Sequence, residues 1–468
     1  MTLTTILLAV NTGQVLIGLL VGIVLLIAMV TLTKIHPFLA LILSSIVVAL
    51  IAGSPINEIP GQITSGFGST LGSIGIIIGL GVIMGQIFEE SGAAEKMAQV
   101  FIKLFGKGRE HIALAVTGFV VSIPIFCDSA FVILFPIAKA ISQKTRKNLI
   151  LIAGALAAGL VITHTLVPPT PGPLTAANTF GVDLGMMILF GLIVAIPCTI
   201  AGIYYFKWLD NRLVILPDEK GVSHKVEKKE EVKVADVNLD SVKKLPSAVL
   251  SFAPILVPII LILLNNVFNA IFDDKNNIVY KIGAFIGNPV VAVSIGTLVA
   301  IYGLALRTPR KEALSSMDKG IKSAGIILLV TGAGGALGNV IKVTGAGDAI
   351  ANTIVDWNIP VILLPFIVAT VVRFIQGSGT VAIVTASSIC APIIEQTNAS
   401  PLFAALAACV GAFFFSYFND SYFHVVNRSI GVEDSKDQLW LWSGATTVIW
   451  AAGFITVMVL NLIFGSIL

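Results

Sequence analysis

Charge is scarce in this chain: Asp, Glu, Lys and Arg make up 12% of its 468 residues, whereas 56% are hydrophobic and the mean hydropathy is +0.96. So much apolar surface does not fit into the core of a water-soluble domain, which argues against a soluble enzyme and makes lipid the natural solvent. The formal net charge is only +3, and the basic residues lie in loops between apolar segments. Nucleic-acid binding is therefore excluded as well.

Cysteine is scarce too. Cys127, Cys198, Cys390 and Cys409 all lie in apolar stretches without a Cys-x-x-Cys spacing. Buried small side chains fit this pattern better than disulfides or a metal site, and we expect no cofactor. The start of the chain also lacks the positive charge that begins a secretory signal, since the first basic residue is Lys34. We therefore expect an uncleaved first membrane helix.

What the chain has instead is a series of apolar segments. A membrane-spanning helix needs roughly 17 to 25 apolar residues. The segments of that length predict an all-α membrane protein with about ten transmembrane helices. The predicted spans are 14–33, 37–53, 71–88, 148–166, 184–206, 248–268, 288–305, 323–341, 400–418 and 438–464.

Two of these regions contain copies of one segment. Residues 79–99 align with residues 332–352 without a gap, so the offset is about 250 residues. The coincident pairs include Gly81 with Gly334, Gly85 with Gly338, Gln86 with Asn339, Ser91 with Thr344, Gly92 with Gly345 and Glu95 with Asp348. Because both copies begin in apolar runs, the pattern predicts a duplicated membrane unit, which is the architecture of secondary transporters.

The duplication divides the chain into three predicted parts. Residues 1–206 form the first membrane repeat, residues 248–468 form the second, and residues 207–247 connect them. The connection holds nine Lys or Arg and eight Asp or Glu residues. This density of charge predicts a solvated cytoplasmic linker, with a regulatory docking segment as the alternative. The basic groups in other loops predict that both termini lie outside.

Each repeat also contains an apolar stretch that is interrupted near its middle. Residues 111–142 are divided around Asp128, and residues 359–393 are divided around Gly377. The pieces are too short to cross a bilayer twice, so we predict two re-entrant hairpins. Five spans and one hairpin in each repeat give an odd number of crossings, and the two copies then point in opposite directions. The prediction is an inverted-topology repeat.

Four polar stretches with helix-breaking Gly or Pro residues interrupt the apolar segments: 126–129, 163–173, 373–380 and 416–424. In a bilayer, the backbone groups freed by a break are costly unless they line a watery cavity, so these breaks predict a binding site near the midplane. Free N–H groups at the start of half-helices suit a carboxylate. The predicted substrate-binding residues are Ser129, Thr163, Thr165, Thr170, Arg373, Ser378, Gly379, Thr380, Asn419 and Ser421.

Arg373 is the most informative single residue, because a charge within an apolar segment costs about 2.5 to 3.5 kcal/mol on insertion scales. We expect it to bind a substrate carboxylate through two parallel hydrogen bonds, with an internal ion pair to Asp128 or Asp420 as the alternative. Asp128, Asp420 and His164 are the candidate proton carriers. Other roles stay open: helix capping for either aspartate, pairing of Asp420 with Arg428, and packing for His164.

Two glycine patterns match known motifs without the context that those motifs need. The Gly-x-Gly-x-x-x-Gly patterns at Gly79 and Gly332 follow no β-strand, so we interpret them as sites of close helix packing and not of nucleotide binding. The Gly-Ala-Gly-Asp run at 345–348 matches intramembrane aspartyl proteases, but its repeat partner at Gly92 begins a polar segment. We expect both to begin amphipathic surface helices.

Five motifs carry a family resemblance. They occupy residues 106–111, 123–129, 164–173, 376–380 and 418–421, and the most specific are the His-Thr-Leu-Val-Pro-Pro-Thr-Pro-Gly-Pro run and the Cys-Asp-Ser run. Together they resemble the gluconate permease family of proton symporters, essentially from end to end of the chain. The resemblance implies proton-coupled uptake of gluconate, or of a related sugar acid such as idonate or fructuronate, across the bacterial cytoplasmic membrane.

The prediction is thus a multi-pass symporter of the bacterial cell membrane, not an enzyme, that imports a small carboxylate with a proton. D-serine or a small hydroxy acid is the alternative substrate, since some relatives of the family take them. An anion channel is the alternative class, and the occluding hairpins argue against it. The sequence leaves open a homo-oligomer, sodium coupling, and the choice between elevator and rocking motions.

Overall fold

The computed structural model describes residues 12–218, 223–226, 245–271, 276–306, 308–346 and 360–467. Most of these residues are α-helical, and the prediction of an all-α membrane protein is confirmed. In the first half, helices α1 to α9 cover Thr12–Leu32, Pro37–Ile51, Ile59–Ser91, Ala93–Phe105, Glu110–Val121, Cys127–Thr145, Leu149–Leu166, Pro171–Thr179 and Leu184–Leu209.

The second half is helical in the same way. Helices α10 to α13 cover Ala248–Ile271, Ile278–Gly287, Pro289–Leu304 and Arg310–Val343. Helices α14 to α19 cover Leu363–Gln376, Gly379–Ile394, Pro401–Gly411, Ser421–Ile430, Ser435–Gln438 and Gly444–Phe464. A five-residue π-turn, Leu439–Ser443, joins α18 to α19.

The exact count of ten predicted membrane spans is not confirmed. Within the described ranges, six helices are long and apolar enough to cross a membrane, and the pair α11 and α12, bent by 64°, makes a seventh if it counts as one span. Some predicted spans are shorter in the structure: residues 400–418 are helical only over the 11 residues of α16. Other predicted spans, such as 71–88 and 323–341, lie within helices of 33 and 34 residues.

The two stretches predicted as hairpins each form two helices joined by a short break. In the first, α5 ends at Val121 and α6 begins at Cys127. In the second, α14 ends at Gln376 and α15 begins at Gly379, and these two helices pack against each other. Re-entry from opposite sides of the membrane stays a prediction. Residue 359 and the Gly-Ala-Gly-Asp motif beyond residue 346 lie outside the described residues.

Positions that the repeat pairs have the same local geometry. His36 and Asn288 each cap a helix that begins with proline, and each side chain accepts a hydrogen bond from the N–H two residues later. Gly92 and Gly345 have left-handed φ angles of 76° and 71°, a conformation that glycine adopts without steric cost. A duplicated unit predicts such agreement.

The helices that carry the duplicated segment, α3 and α13, pack against each other. A Cβ atom at Gly66 would lie 2.5 Å from the carbonyl oxygen of Gly335, so the two backbones meet at glycine. A second contact joins the end of α3 to the start of α13, because the hydroxyl of Ser316 in α13 donates a hydrogen bond to Glu90 in α3. The order of these contacts makes the two helices antiparallel. Gly66 and Gly335 thus allow α3 and α13 to pack closely. Of the predicted pattern glycines, Gly334 and Gly338 face Val384 and Ser388 of α15, whereas a Cβ atom at Gly79 would meet nothing within 4 Å.

Part of the predicted linker is folded. Strands β1 (Ile215–Pro217) and β2 (Ser223–Lys225) pair antiparallel. Asn148 at the start of α7 holds β1, because its side-chain oxygen accepts a hydrogen bond from the Ile215 N–H at 3.0 Å. Ile215 is buried, so the predicted linker is not exposed to solvent along its whole length. Residues 227–244 lie outside the described residues.

Candidate functional site

The four predicted polar stretches come together around one cavity with a volume of about 300 Å³. Residues from both halves of the chain line it. Among the predicted substrate-binding residues and proton carriers, the lining includes Asp128, His164, Thr165, Arg373, Ser378, Gly379, Thr380, Asn419, Asp420 and Ser421. Residues far apart in the sequence thus share one space, as the breaks predicted.

Three helices begin with a residue that lines this cavity. Helix α6 begins at Cys127, α15 begins at Gly379, and α17 begins at Ser421. The first N–H groups of a helix have no partner within the helix and carry partial positive charge. Asp128 and Asp420 already place carboxylates at the starts of α6 and α17, so the start of α15, which the neutral Ser378 hydroxyl caps, is the one that most favours a negatively charged ligand.

The breaks before α15 and α17 pack against each other at a glycine. Gly377 has a φ of 88°, and a Cβ atom there would lie 2.3 Å from the carbonyl oxygen of Asn419. The side-chain amide of Asn419 donates to the carbonyls of Phe374 and Ile375 at 3.1 and 3.2 Å. Because only glycine allows this approach, Gly377 fixes the position of the two helix starts relative to each other.

Arg373 lies in the last turn of α14 and is 6% exposed. Its Nη2 donates to Oδ2 of Asp420 at 2.6 Å. Its Nε and Nη1 atoms are buried and have no hydrogen-bond partner in the described part of the chain. A guanidinium presents its donors in a planar fork that matches a carboxylate, so this side chain is suited to bind an anion at the cavity.

Asp420 is held by several donors. Its Oδ2 accepts hydrogen bonds from Arg373 and from the hydroxyl of Ser416, and its Oδ1 accepts one from the N–H of Tyr422 at 3.2 Å. The last bond caps α17. Both the internal ion pair of Arg373 and the capping role of Asp420 are therefore present, whereas the partner of Asp420 is Arg373 and not Arg428. The ion pair uses one guanidinium nitrogen and leaves the others for a ligand.

Asp128 has fewer and longer contacts. Its Oδ1 accepts a hydrogen bond from the hydroxyl of Ser421 at 3.2 Å, and the Cys127 thiol lies 3.6 Å from Oδ2. Asp128 lies in the first turn of α6, and Phe126 occupies the capping position, so the capping alternative for Asp128 is wrong. Ser421 belongs to the second half, and its hydrogen bond joins the two halves at the cavity.

His164 lies near the end of α7 and lines the cavity. Its ring contacts that of Phe126 edge to face, with 5.6 Å between the ring centres. Its Nδ1 is buried and has no hydrogen-bond partner in the described structure. The contact with Phe126 fits the packing role, and the unpaired nitrogen leaves a polar atom for a ligand or a proton.

Three predicted substrate-binding residues do not line the cavity. Thr163 and Thr170 are buried, and their hydroxyls donate to the carbonyls of Gly159 and Val167 at 3.3 and 2.7 Å. Ser129 is half-buried in the first turn of α6. Successive residues of a helix point about 100° apart, so a residue next to one that lines the cavity often points elsewhere.

The cavity also includes residues that the sequence did not identify as ligands. They are Cys127, Val161, Gly172, Gln376, Gly377, Ile383, Ala412, Phe413, Tyr422 and Thr446. Gln376 and Tyr422 lie beside predicted ligands, and that proximity is a usable signal. Thr446 lies in α19, where no break or motif marks it. Within the described ranges, no group of three or more His, Cys, Asp or Glu side chains could hold a metal ion.

Apolar helices that break at a shared polar cavity define a membrane transporter for small molecules. The comparison with known families agrees: the model of the GntP family permeases matches residues 14–463, and the chain belongs to that family. It is a multi-pass protein of the bacterial cell membrane.

Two relatives illustrate the range of the family. An uncharacterized permease of Haemophilus influenzae is 46% identical over 455 residues, which cover 96% of this chain and 93% of the relative. A gluconate permease of Pseudomonas aeruginosa is 32% identical over 448 residues, which cover 95% of this chain and 97% of the relative. Among solved structures, the fold is similar to MtrF of Neisseria gonorrhoeae, with a TM-score of 0.64 and 12% identity over 92% of this chain and 96% of that one.

Proposed function

We propose that this permease imports gluconate or a related sugar acid together with a proton. The observation that carries the proposal is Arg373, whose Nε and Nη1 are buried and unpaired beside a cavity at which three helices begin. A buried donor without a partner costs about 1 to 3 kcal/mol, and a bound carboxylate removes that cost. Family membership and the gluconate permease among the relatives support the same substrate class.

The rest of the cavity suits the hydroxyl groups of a sugar acid. Thr165, Ser378, Thr380 and Ser421 offer hydroxyls that both donate and accept, and Asn419 offers an amide. In the proposed complex the carboxylate binds Arg373 and the N–H groups at the helix starts. The polyol chain then extends over the hydroxyl groups.

Asp128 is the proposed proton carrier. It lines the cavity, is held by a hydroxyl at 3.2 Å and a thiol at 3.6 Å, and has no cation beside it among the described contacts. Its carboxylate can therefore gain a proton without breaking an ion pair. His164 is the proposed second site for the proton. Asp420, which the sequence proposed as a carrier, is instead assigned to hold Arg373.

The inverted repeat belongs to the same proposal. The duplicated segments lie on α3 and α13, and these helices pack in antiparallel order, as Gly66 against Gly335 and Glu90 against Ser316 show. Equivalent helices of an inverted repeat cross the membrane in opposite directions. The cavity then lies between the two copies, one of which supplies Asp128 and the other Arg373.

Counterflow in proteoliposomes tests the function. Vesicles that contain unlabelled gluconate are diluted into labelled gluconate, and a symporter is expected to give a transient overshoot, which a channel does not give. One proton that enters with one monoanion moves no net charge, so an imposed membrane potential leaves uptake unchanged. If a second proton enters as well, one net positive charge moves inward, and the membrane potential contributes about 2.3 kcal/mol per 100 mV to uptake. A pH gradient is expected to drive accumulation with sodium absent.

Competition defines the substrate. Idonate and fructuronate are expected to inhibit labelled gluconate uptake more strongly than D-serine, lactate or glycerate. The reverse order would replace the sugar acid with a small hydroxy acid. Gluconate entry without an overshoot would instead support the channel.

A further inference from the structure

Behind the ion pair of Arg373 and Asp420 lies a chain of buried hydrogen bonds that the proposed function does not use. The hydroxyl of Ser416 donates to Oδ2 of Asp420. The carbonyl of Ser416 accepts from the hydroxyl of Ser443 at 2.5 Å, and its N–H donates to Oγ1 of Thr446 at 3.1 Å. The three hydroxyl residues are at most 1% exposed. All three polar groups of Ser416 are therefore engaged.

The backbone around this chain is irregular on both sides. Ser416 lies in the break between α16 and α17, directly after Phe415, whose φ of 35° is rare for a residue with a side chain. Ser443 is the last residue of the π-turn before α19. Single π-turns are rare in proteins as a whole, and those that occur are often found at functional sites. Two irregular segments thus meet at the hydrogen bonds of Ser416.

We infer that Ser416 and Ser443 are positioning residues for the substrate's anionic group. Ser443 and Thr446 fix the backbone of Ser416, Ser416 fixes the carboxylate of Asp420, and Asp420 takes Nη2 of Arg373. This arrangement leaves Nε and Nη1 unpaired. The C-terminal helix, which supplies Thr446 to the cavity, thereby sets the orientation of the anion-binding side chain. The inference rests on the proposed role of Arg373.

Ser416→Ala and Ser443→Ala test it in purified protein and in proteoliposomes. Loss of a hydrogen bond to a charged group predicts a rise in KM for gluconate of about tenfold or more for Ser416→Ala, and loss of a neutral bond predicts about threefold for Ser443→Ala. Vmax is expected to change little, because the lost interaction is made in the ground state as well. Ser443→Thr retains the hydroxyl and is expected to keep most of the affinity.

The matched control is Ser387→Ala. Ser387 is fully buried, its hydroxyl has no hydrogen-bond partner in the described structure, and it does not line the cavity. The control removes the same atom from a buried serine and is expected to leave KM unchanged. A rise in KM equal to that of Ser416→Ala would mean that any loss of a buried hydroxyl weakens transport, and the inference would be wrong.

A double variant separates positioning from general destabilisation. If Ser416 acts through Arg373, Ser416→Ala adds less than about twofold to KM in an Arg373→Lys background, because the coupled residues are not additive. A full tenfold addition overturns the positioning role.

Thermal stabilisation of the purified protein by each carboxylate of the competition panel gives a second readout. This measurement identifies a carboxylate that binds even if gluconate is not transported. The stabilisation of each variant by that carboxylate is then compared with the stabilisation of the wild type. If no carboxylate stabilises the wild type, the proposed function fails, and the positioning role fails with it. If the wild type responds and Ser416→Ala responds equally, only the positioning role fails.

Discussion

The cavity contains two carboxylates that differ in how they are held. Asp420 accepts hydrogen bonds from a guanidinium, a hydroxyl and a backbone N–H. Asp128 has a hydroxyl at 3.2 Å and a thiol at 3.6 Å. Both aspartates lie at the start of a helix, and each comes from a different half of the chain.

The difference assigns different tasks to two residues that look alike in the sequence. Protonation of Asp420 would weaken its ion pair with Arg373, and charge-assisted hydrogen bonds are the strong ones. Protonation of Asp128 breaks no ion pair among the described contacts. We therefore expect Asp128 to carry the proton and Asp420 to hold Arg373.

The largest expected effect comes from Arg373→Lys, which removes the planar fork and keeps the charge. Lysine is a point charge and cannot bind Asp420 and a carboxylate in the same geometry. Breaking a buried, hydrogen-bonded charge pair costs about 2 to 5 kcal/mol, so KM for gluconate is expected to rise at least about 30-fold. Initial rates of labelled gluconate counterflow measure it.

Arg428→Lys is the matched control, because Arg428 is exposed on α17 and does not line the cavity. It is expected to transport like the wild type. Full affinity in Arg373→Lys would remove the carboxylate-binding role from Arg373, and the two carboxylates would then need another explanation.

The comparison between the carboxylates is tested directly by Asp128→Asn and Asp420→Asn. A difference of one pH unit across the membrane corresponds to about 1.4 kcal/mol per proton. One coupled proton therefore supports about a tenfold ratio of internal to external gluconate for each unit of pH difference. Asp128→Asn is expected to lose this accumulation and to keep counterflow. Asp420→Asn is expected to keep the response to pH and to have a raised KM. Accumulation ratios at imposed pH gradients measure both.

Asp183→Asn serves as the control for the change of charge, because Asp183 caps α9 and lies outside the cavity lining. Accumulation that survives in Asp128→Asn with an unchanged dependence on pH would assign the proton to another group. His164→Gln is the next variant in that case, since His164 lines the same cavity.

A smaller effect is expected at Cys127, which reports on the Asp128 side of the cavity. Cys127 is buried, at 5% exposure, and lines the cavity, whereas Cys198, Cys390 and Cys409 are 0% exposed and lie outside the cavity lining. Gluconate at ten times its Kd is expected to slow labelling of Cys127 by a small thiol reagent about tenfold, by mass action. Mass spectrometry of the labelled peptide measures the rate.

Cys127→Ser controls for reaction at the other cysteines and is expected to stay unlabelled under the same conditions. Equal labelling with and without saturating gluconate would place the substrate away from Asp128. The proton carrier and the anion-binding residue would then not share one site.

Much of the site could be predicted from the sequence because helix breaks are visible there. Glycine, proline and polar residues within apolar runs marked the breaks at Asp128 and Arg373, and the repeat paired them. The same signal misplaced Thr163 and Ser129, because the direction of a side chain depends on the turn of the helix.

What the sequence did not predict depends on contacts between distant segments. Ser443 and Thr446 lie in an apolar run, and only packing of α19 brings them to Ser416. The boundaries of single spans depend on packing in the same way. Hydropathy measures the length of an apolar run, whereas residues 400–418 leave the helix after Gly411.

The smallest expected effect concerns an exposed ion pair that has nearly the same length as the buried one. Lys225 in β2 lies 2.5 Å from Asp437, and its side chain is 64% exposed. The hydrogen bond and the charge of Asp437 raise the pKa of Lys225. A raised lysine pKa means that the pair stabilises the fold below the ordinary lysine pKa and that this contribution is lost as the pH rises through the raised value.

Lys225→Met is therefore expected to lower stability at neutral pH by less than about 1 kcal/mol, because exposed pairs are screened by water and salt. Thermal unfolding in detergent at low and high salt measures the difference, which is expected to disappear at high salt. KM for gluconate is expected to stay unchanged, in contrast to Arg373→Lys. A rise in KM as large as that of Arg373→Lys would mean that the strand pair between the two halves takes part in binding, and that burial does not account for the difference between the two ion pairs.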